Sequence, residues 1–245
     1  MALSLRRFSD PVAFQQHTSA HLGEREAENN LVIGILASVV GGQYKDFPPY
    51  MAAVESDGDI VQVLLRTPPH PVLISYRGTS PSKEEVRLVV EDLYSEYGHD
   101  LAGVTGDKDL VSLYVKEWEH VTGQAGRLRN SLRIYRASKI RQPVGVAGAM
   151  RPITEVDRDL LVEWLWQFNK DAFHEEPERD MIYATVERYL SADSSQRGLV
   201  LWEAGGEAVS MAGYSGPTPH GIRIVAVYTP PAGRNRGYAS ACVGA

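Results

Sequence analysis

The stretch from Gly221 to Cys242 constrains this chain more than any other. Ile222 to Tyr228 is an apolar run rich in β-branched residues and predicts a strand. Thr229-Pro230-Pro231-Ala232-Gly233 must stop that strand, because proline cannot donate to a ladder. Arg234-Asn235-Arg236-Gly237-Tyr238-Ala239 then predicts a basic, glycine-bearing loop turning into a helix through Ser240, Ala241 and Cys242. A strand, a glycine-bearing loop and a helix start together suit an anion. Backbone N–H groups at the start of a helix lack internal acceptors and face the positive end of its dipole. Gly237 and Ala239 are small enough for a pyrophosphate to approach the backbone. Arg234 and Arg236 add positive charge at the mouth.

Those residues resemble the acetyl-CoA-binding motif of the GNAT superfamily of N-acetyltransferases, Gln/Arg-x-x-Gly-x-Gly/Ala. Here it stands as Arg234-Asn235-Arg236-Gly237-Tyr238-Ala239, preceded by Val225-Ala226-Val227-Tyr228-Thr229-Pro230, which looks like the family's fourth strand. Met150-Arg151-Pro152-Ile153-Thr154-Glu155-Val156-Asp157 is similar to the opening of many domains of that family. A domain of this kind continues past the motif helix with a strand, a helix and a last strand. The chain stops at Ala245, about two turns into that helix. The expectation is a domain lacking its C-terminal elements, as a fragment, through truncation, or with another segment completing the fold.

The resemblance implies direct transfer of an acetyl group from acetyl-CoA to an amine, without a covalent enzyme intermediate. The loop from Arg234 to Ala239, with Asn235, Arg236, Gly237 and Tyr238 between them, would hold the pyrophosphate. The strand edge near Val225, Val227 and Tyr228 would pair with the amide-rich pantetheine arm. The N–H of Val227 would face the thioester oxygen. A general base is also needed. Glu203, Ser210 and Tyr214, on two neighbouring predicted strands, are the candidates, though each reads first as an ordinary strand residue or a satisfied hydroxyl. The general acid of this family commonly lies in the later segment, so none is assigned. The acidic run Glu175, Glu176, Glu178 and Asp180 would attract a cationic amine, or serve as solvated charge at a helix start. His174 reads as a surface residue before a base, and Trp164, Trp166 and Phe168 as core before a wall of the acceptor pocket.

Elsewhere the chain alternates helical and strand patterns, which predicts a mixed α/β (α+β) fold with mostly antiparallel sheets flanked by helices. In the first half, helices are predicted over 12–22, 24–40, 82–97 and 107–120. Ser9-Asp10-Pro11 starts the first, and Ser82-Lys83-Glu84-Glu85 has the form of a capping box. Strands are predicted over 50–55, 60–66, 72–76 and 101–104, with Asp57-Gly58 as a hairpin turn. Residues 127–139 alternate Leu128, Leu132 and Ile134 with arginines and predict a long, partly exposed strand. Arg141 to Gly148 reads as a linker. Beyond it a strand, helices over 154–173 and 177–192, and strands over 199–203, 208–214 and 222–228 are predicted, with Gly205-Gly206 as a hairpin turn.

Both halves therefore read as two helices, three antiparallel strands and a helix. The expected arrangement is tandem: residues 1–142 as a degenerate GNAT-like domain, whose Tyr76-Arg77-Gly78-Thr79-Ser80-Pro81 lacks the motif, and residues 149–245 as the acetyl-CoA-binding domain.

A 43% hydrophobic share supports a packed core. A net charge of −6 and a pI near 5.7 argue against nucleic acid as the main partner. The single cysteine, Cys242, rules out an internal disulfide and any cysteine-based zinc site. It reads as a small buried helix residue. No signal-like N-terminus and no membrane-length apolar run is present, so a cytoplasmic location with no membrane partner is expected. The sequence lacks HExxH, CxxC, Walker A and GxSxG patterns, leaving metal, redox, nucleotide-hydrolase and serine-hydrolase readings unsupported. The partner expected is a small-molecule or peptide amine, and an open sheet edge would favour a homo-oligomer. The alternatives are a non-catalytic module that binds CoA or a partner, and an inactive fragment.

Overall fold

The computed structural model describes residues 2–44, 47–78, 80–174 and 176–245. The chain is mixed α/β, with sheets dominated by antiparallel pairs and flanked by helices. It forms two compact units, Met1–Ile134 and Tyr135–Ala245.

The first unit runs β1 (Leu3–Arg7), α1 (Pro11–Glu24), α2 (Asn30–Val40), β2 (Tyr50–Ser56), β3 (Asp59–Arg66), β4 (Val72–Tyr76), α3 (Lys83–Tyr97), β5 (Val104–Thr105) and α4 (Lys108–Thr122). The strands lie in the order β1-β2-β3-β4-β5, antiparallel except for the β4–β5 pair. Local chemistry sets the boundaries. Asp10 accepts from the Val12 N–H with Pro11 at the first helical position. Asp57 and Gly58 both take positive φ, 52° and 91°, as a two-residue hairpin turn demands. Ser82 and Glu85 close the reciprocal capping box. Alternate strand residues then serve opposite faces. Val54, Leu64 and Ile74 pack against Val86, Val90, Leu110 and Tyr114 of α3 and α4. Met51, Val63, Leu65 and Leu73 pack against Phe14, Leu22 and Leu36 of α1 and α2.

The second unit runs β6 (Ala149–Pro152), α5 (Arg158–Phe173), α6 (Arg179–Leu190), β7 (Arg197–Ala204), β8 (Glu207–Thr218), β9 (Gly221–Tyr228) and α7 (Tyr238–Gly244). Its strands lie in the order β6-β7-β8-β9, all antiparallel. Its helices also cover two faces. Leu199, Leu201, Met211 and Tyr228 pack on Leu161, Trp164, Leu165 and Val186 of α5 and α6. Trp202 and Ala212, with Val200 and Val227, pack on Ala241 and Cys242 of α7. The join between β6 and α5 is a charge fork. Arg151 Nη1 and Nη2 donate to Asp157 Oδ2 and Oδ1, both at 2.8 Å, and Arg151 Nε donates to Glu203 Oε2 at 2.6 Å. Asp157 also accepts from the Thr154 N–H at 2.8 Å. The Arg151 guanidinium, with this N–H, holds the buried Asp157 carboxyl below the usual carboxylate range.

Each sheet thus begins with a strand, receives two helices, and continues as a three-strand meander leading to a helix. The leading strand β1 in the first unit was not anticipated from sequence. It is five residues long, and three of these are exposed. Helix α2 begins at Asn30 rather than near Glu24, because the buried Asn29 gives its side-chain amide to Leu22 O at 2.9 Å and closes a turn there. The strand expected over 127–139 does not form. Those residues are irregular and exposed, with Leu128 at 80% and Leu132 at 74%, and no strand lies beside them among the described residues to complete a ladder. Among the described residues, no helix is long and apolar enough to cross a membrane.

Leu201 is fully buried between β8 and α5. Leu201→Ala should lower the stability of the second unit by about 2–5 kcal/mol, through lost transfer energy and a residual cavity. Urea unfolding followed by tryptophan fluorescence checks this, since Trp164, Trp166 and Trp202 all lie in that unit.

Candidate functional site

Strand β9 is the edge of its sheet, bonded to β8. The register fixes its most unusual feature. Met211 pairs with Tyr228 and Gly213 with Val225, so Ala226 and Val227 together face the single residue Ala212. This is a β-bulge, with Ala226 in the left-handed region at φ 49°. The extra residue leaves a backbone group on β9 outside the ladder, two residues before the strand ends.

The chain leaves β9 through a 3₁₀ turn over Pro231–Gly233. Asn235 and Gly237 then both take positive φ, 64° and 81°, on either side of Arg236. Gly237 caps α7, and the first helical bond runs from the Ala241 N–H to Gly237 O at 2.9 Å. The N–H groups of Tyr238, Ala239 and Ser240 consequently have no acceptor within the helix. Position 237 needs glycine twice over. Its φ is unfavourable for any side chain, and a Cβ there would stand 2.9 Å from Val146 Cγ2. The segment read as a linker supplies that contact. It lies against the second unit, with Gln142 Nε2 donating to Gly244 O at 2.6 Å and Trp202 Nε1 to Ala147 O at 2.9 Å.

The bulge and the loop open on a cleft of about 540 Å³. Of the residues singled out from sequence for a cofactor, Val227, Tyr228, Arg234, Asn235, Gly237, Tyr238 and Ala239 line it. Val225 and Arg236 are not on its wall. Val225 pairs with Gly213 within the sheet, and Arg236 is exposed. Phe168, Asp171 and Ala172 of α5 form the facing wall. Asp171 and Ala172 escaped the sequence reading and Phe168 reads there first as core, although their spacing of three and four places all three on one helix face. Asp171 holds the loop: Arg234 Nη2 lies 2.5 Å from Asp171 Oδ2, and Arg234 Nε donates to Thr229 O at 3.0 Å. Burial, reinforced by Asp171, pushes the Tyr228 phenol up. At neutral pH it is therefore a hydrogen-bond donor and not a base.

Residues 158–245 match the Acetyltransferase (GNAT) family. The match takes in α5 through α7 and every lining residue of the cleft. Members of that family bind acetyl-CoA, and the free N–H groups at the start of α7 fit its phosphates. No curated protein matches the chain. Among solved structures, a possible acetyltransferase from Clostridium difficile 630 is 18% identical with a TM-score of 0.34, covering 36% of this chain. The chain covers 61% of the length of that protein. A GCN5-related N-acetyltransferase from Kribbella flavida is 14% identical with a TM-score of 0.45, over 75% of this chain and 69% of its own.

The three residues considered for the base of such a domain lie away from the cleft wall. Glu203 is the second partner of the Arg151 fork. Ser210 is fully buried beneath the end of β9, where its hydroxyl meets Tyr228 O at 3.0 Å and Thr229 Oγ1 at 2.8 Å. Tyr214 donates to Ser194 O at 3.0 Å, further along β8. Ser210 thus pins the strand end from which the loop departs. Of the acidic run, Glu176 is paired with Lys170 at 2.8 Å, Glu178 caps α6 and Asp180 sits in its first turn, while Glu175 lies outside the described residues. His174 is exposed and closes α5 in the left-handed conformation. Trp164 is core, and Trp166 is partly buried, its ring faced by Lys170 and Arg179.

Cys242 is buried against β7, 3% exposed, and burial pushes its thiol up to about 11. Native Cys242 should react with iodoacetamide at pH 8 at least about tenfold more slowly than in the urea-unfolded chain. The linkage has a definite sign. A thiol pKa raised on folding contributes stability that is intact below its ordinary value of 9.0 and is lost as pH rises towards 11. Thermal midpoints measured across that range should fall more steeply in the wild type than in Cys242→Ala.

Proposed function

We propose that this chain carries an acetyl-CoA-dependent N-acetyltransferase domain in its second unit, acting on a small-molecule or peptide amine. The observation that carries the reading is the coincidence, in one cleft, of the bulged edge strand β9, the two left-handed loop residues and the unsatisfied first turn of α7. The family match over residues 158–245 supports it.

Bound acetyl-CoA would supply an acetyl group already activated as a thioester. This chain's residues would do the rest. The N–H groups of Tyr238, Ala239 and Ser240 would hold the phosphates, with Gly237 giving the left-handed turn that presents them. The open edge of β9 would take the amide-bearing arm as a strand takes a neighbour. The bulge frees one β9 backbone donor, and Val227 N–H is our candidate for the group facing the acyl oxygen. Tyr228, held neutral, would offer a hydroxyl at the same wall. Asp171 competes with phosphate for Arg234, because the guanidinium cannot serve both fully. We also read the first unit as a degenerate relative of the second, on the strength of its matching order of elements.

A second reading, a module that binds CoA without transferring acetyl, is favoured by one observation. Glu203, Ser210 and Tyr214 are committed to structural partners, and Asp171, the carboxylate on the cleft wall, is paired with Arg234. Titration calorimetry and an amine panel separate the two. Acetyl-CoA should bind at one site with micromolar affinity. Gly237→Asp should weaken that binding at least about a hundredfold while the near-UV circular dichroism stays native, and unchanged affinity would sink the site assignment. Binding without turnover on any amine would favour the second reading.

Asp171→Asn should tighten acetyl-CoA binding by about two- to fivefold. The exposed ion pair it removes is worth at most about 1 kcal/mol and must be given up on phosphate binding. The same calorimetry checks this.

A further inference from the structure

The segment that follows α4 has no part in the cleft. It carries Arg127, Arg129, Arg133, Arg136, Lys139 and Arg141, and no acid lies between Glu119 and Glu155. Six of the chain's 25 cations thus fall within fifteen residues of a chain whose net charge is −6. Bulky apolar residues are interleaved with them. Leu128, Leu132, Ile134, Tyr135 and Ile140 are 59–83% exposed. Every residue from 123 to 142 is exposed, and none of them lies in a helix or strand. Polar tethers stand on either side: Trp118 Nε1 donates to Gln124 Oε1 at 3.1 Å, and Gln142 Nε2 to Gly244 O at 2.6 Å. Arg129 already has a partner. The other five cations make no ion pair among the described residues.

Large apolar side chains exposed at this density mark a contact surface. Their spacing carries a second pattern besides the alternation. Leu128, Leu132 and Tyr135 stand at i, i+4 and i+7, and Arg129, Arg133 and Arg136 repeat that spacing one residue on. Coiled as a helix, the segment has an apolar stripe with a cationic stripe beside it, and Pro143 ends the coil. A helix this short is marginal in water, in keeping with the irregular form of these residues, and gains stability where its apolar stripe is buried.

The charge and the apolar stripe together select the partner. A second copy of this chain fits poorly. The open strands β1, β6 and β9 carry Arg6, Arg7, Arg151 and Arg223, and β5 is two residues long, so these edges offer no acids. Nucleic acid would neutralise the cations but leave the leucines and isoleucines in water. An anionic bilayer takes both, with headgroups for the arginines and the acyl boundary for the apolar stripe. We propose that residues 127–141 are a docking segment for an anionic phospholipid surface. Such docking needs no catalysis, so it stands apart from the acetyltransferase reading. The absence of a membrane-length apolar run speaks to spanning and not to attachment at the surface.

Vesicle co-sedimentation of the whole chain tests it. Wild type should bind phosphatidylcholine vesicles holding about 30 mol% phosphatidylserine at least about tenfold more tightly than phosphatidylcholine alone. Raising salt from about 0.1 to about 0.5 M should weaken that binding at least about tenfold. The triple variant Arg133→Gln, Arg136→Gln, Lys139→Gln should lose about a hundredfold. The double variant Leu128→Ser, Leu132→Ser should lose at least about fivefold at unchanged charge. Near-UV circular dichroism should stay native in both, since all five side chains are exposed. Equal binding to the two vesicle types, or unchanged binding by either variant, overturns the site. A single-stranded oligonucleotide of about twenty residues is the polyanion control. Binding to it as tight as to the anionic vesicles, and unaltered by the serine substitutions, overturns the lipid assignment in favour of nucleic acid. Far-UV circular dichroism of wild type should gain helix with the anionic vesicles alone, and binding without that gain overturns the helical stripes.

Discussion

The bulge at Ala226 and Val227 is the constraint on which the second unit depends. Side chains on a regular strand alternate strictly, so Val225 and Val227 would share one face and Tyr228 would take the other. The inserted residue reverses that parity. Tyr228 returns to the face of α5 and α6, where its ring lies 6.0 Å from Trp164, and Val227 joins the packing under α7. A single backbone irregularity thus serves both helical layers and sets the direction in which the loop departs. The left-handed φ of Ala226 is a local cost that packing on both sides offsets.

Beneath that point the sheet is tied down by hydrogen bonds and not by apolar contact alone. Ser210 is fully buried, yet its hydroxyl reaches both Tyr228 O and Thr229 Oγ1, so the last rung of β9 has a polar anchor in the core. At the opposite edge, Arg151 joins β6, the turn before α5 and β7 through Asp157 and Glu203. Each anchor fixes one edge of the same four-stranded sheet, and the cleft lies at the β9 edge.

Much of this was legible in the residues. Asp57-Gly58, Gly205-Gly206, Ser82 with Glu85 and Asp10-Pro11 each dictate a boundary through local chemistry, and the structure places turns and caps there. The loop from Arg234 to Ala239 was legible because glycine, small residues and a preceding strand are a local pattern. What failed was non-local. Residues 127–139 have the alternation of a strand, but a strand exists only with a neighbour, and pattern alone cannot supply one. Asp171 was invisible for a similar reason: 63 residues separate it from Arg234, and only the fold makes them partners. Glu203 and Tyr214 were considered for chemistry from strand position alone, and the partners that occupy them, Arg151 and Ser194 O, also come from distant sequence.

The contact between Val146 and Gly237 carries a consequence for how this sequence can change. The two positions are 91 residues apart in numbering yet share one small volume, where a single added carbon would stand 2.9 Å from a methyl group. The constraint runs one way. Glycine at 237 is held by its left-handed φ whatever stands at 146, whereas position 146 can shrink but not grow without displacing the loop. In related chains the second position should therefore stay fixed while the first drifts among residues no larger than valine, and a larger residue there would mark a chain whose segment before β6 no longer leans on the loop.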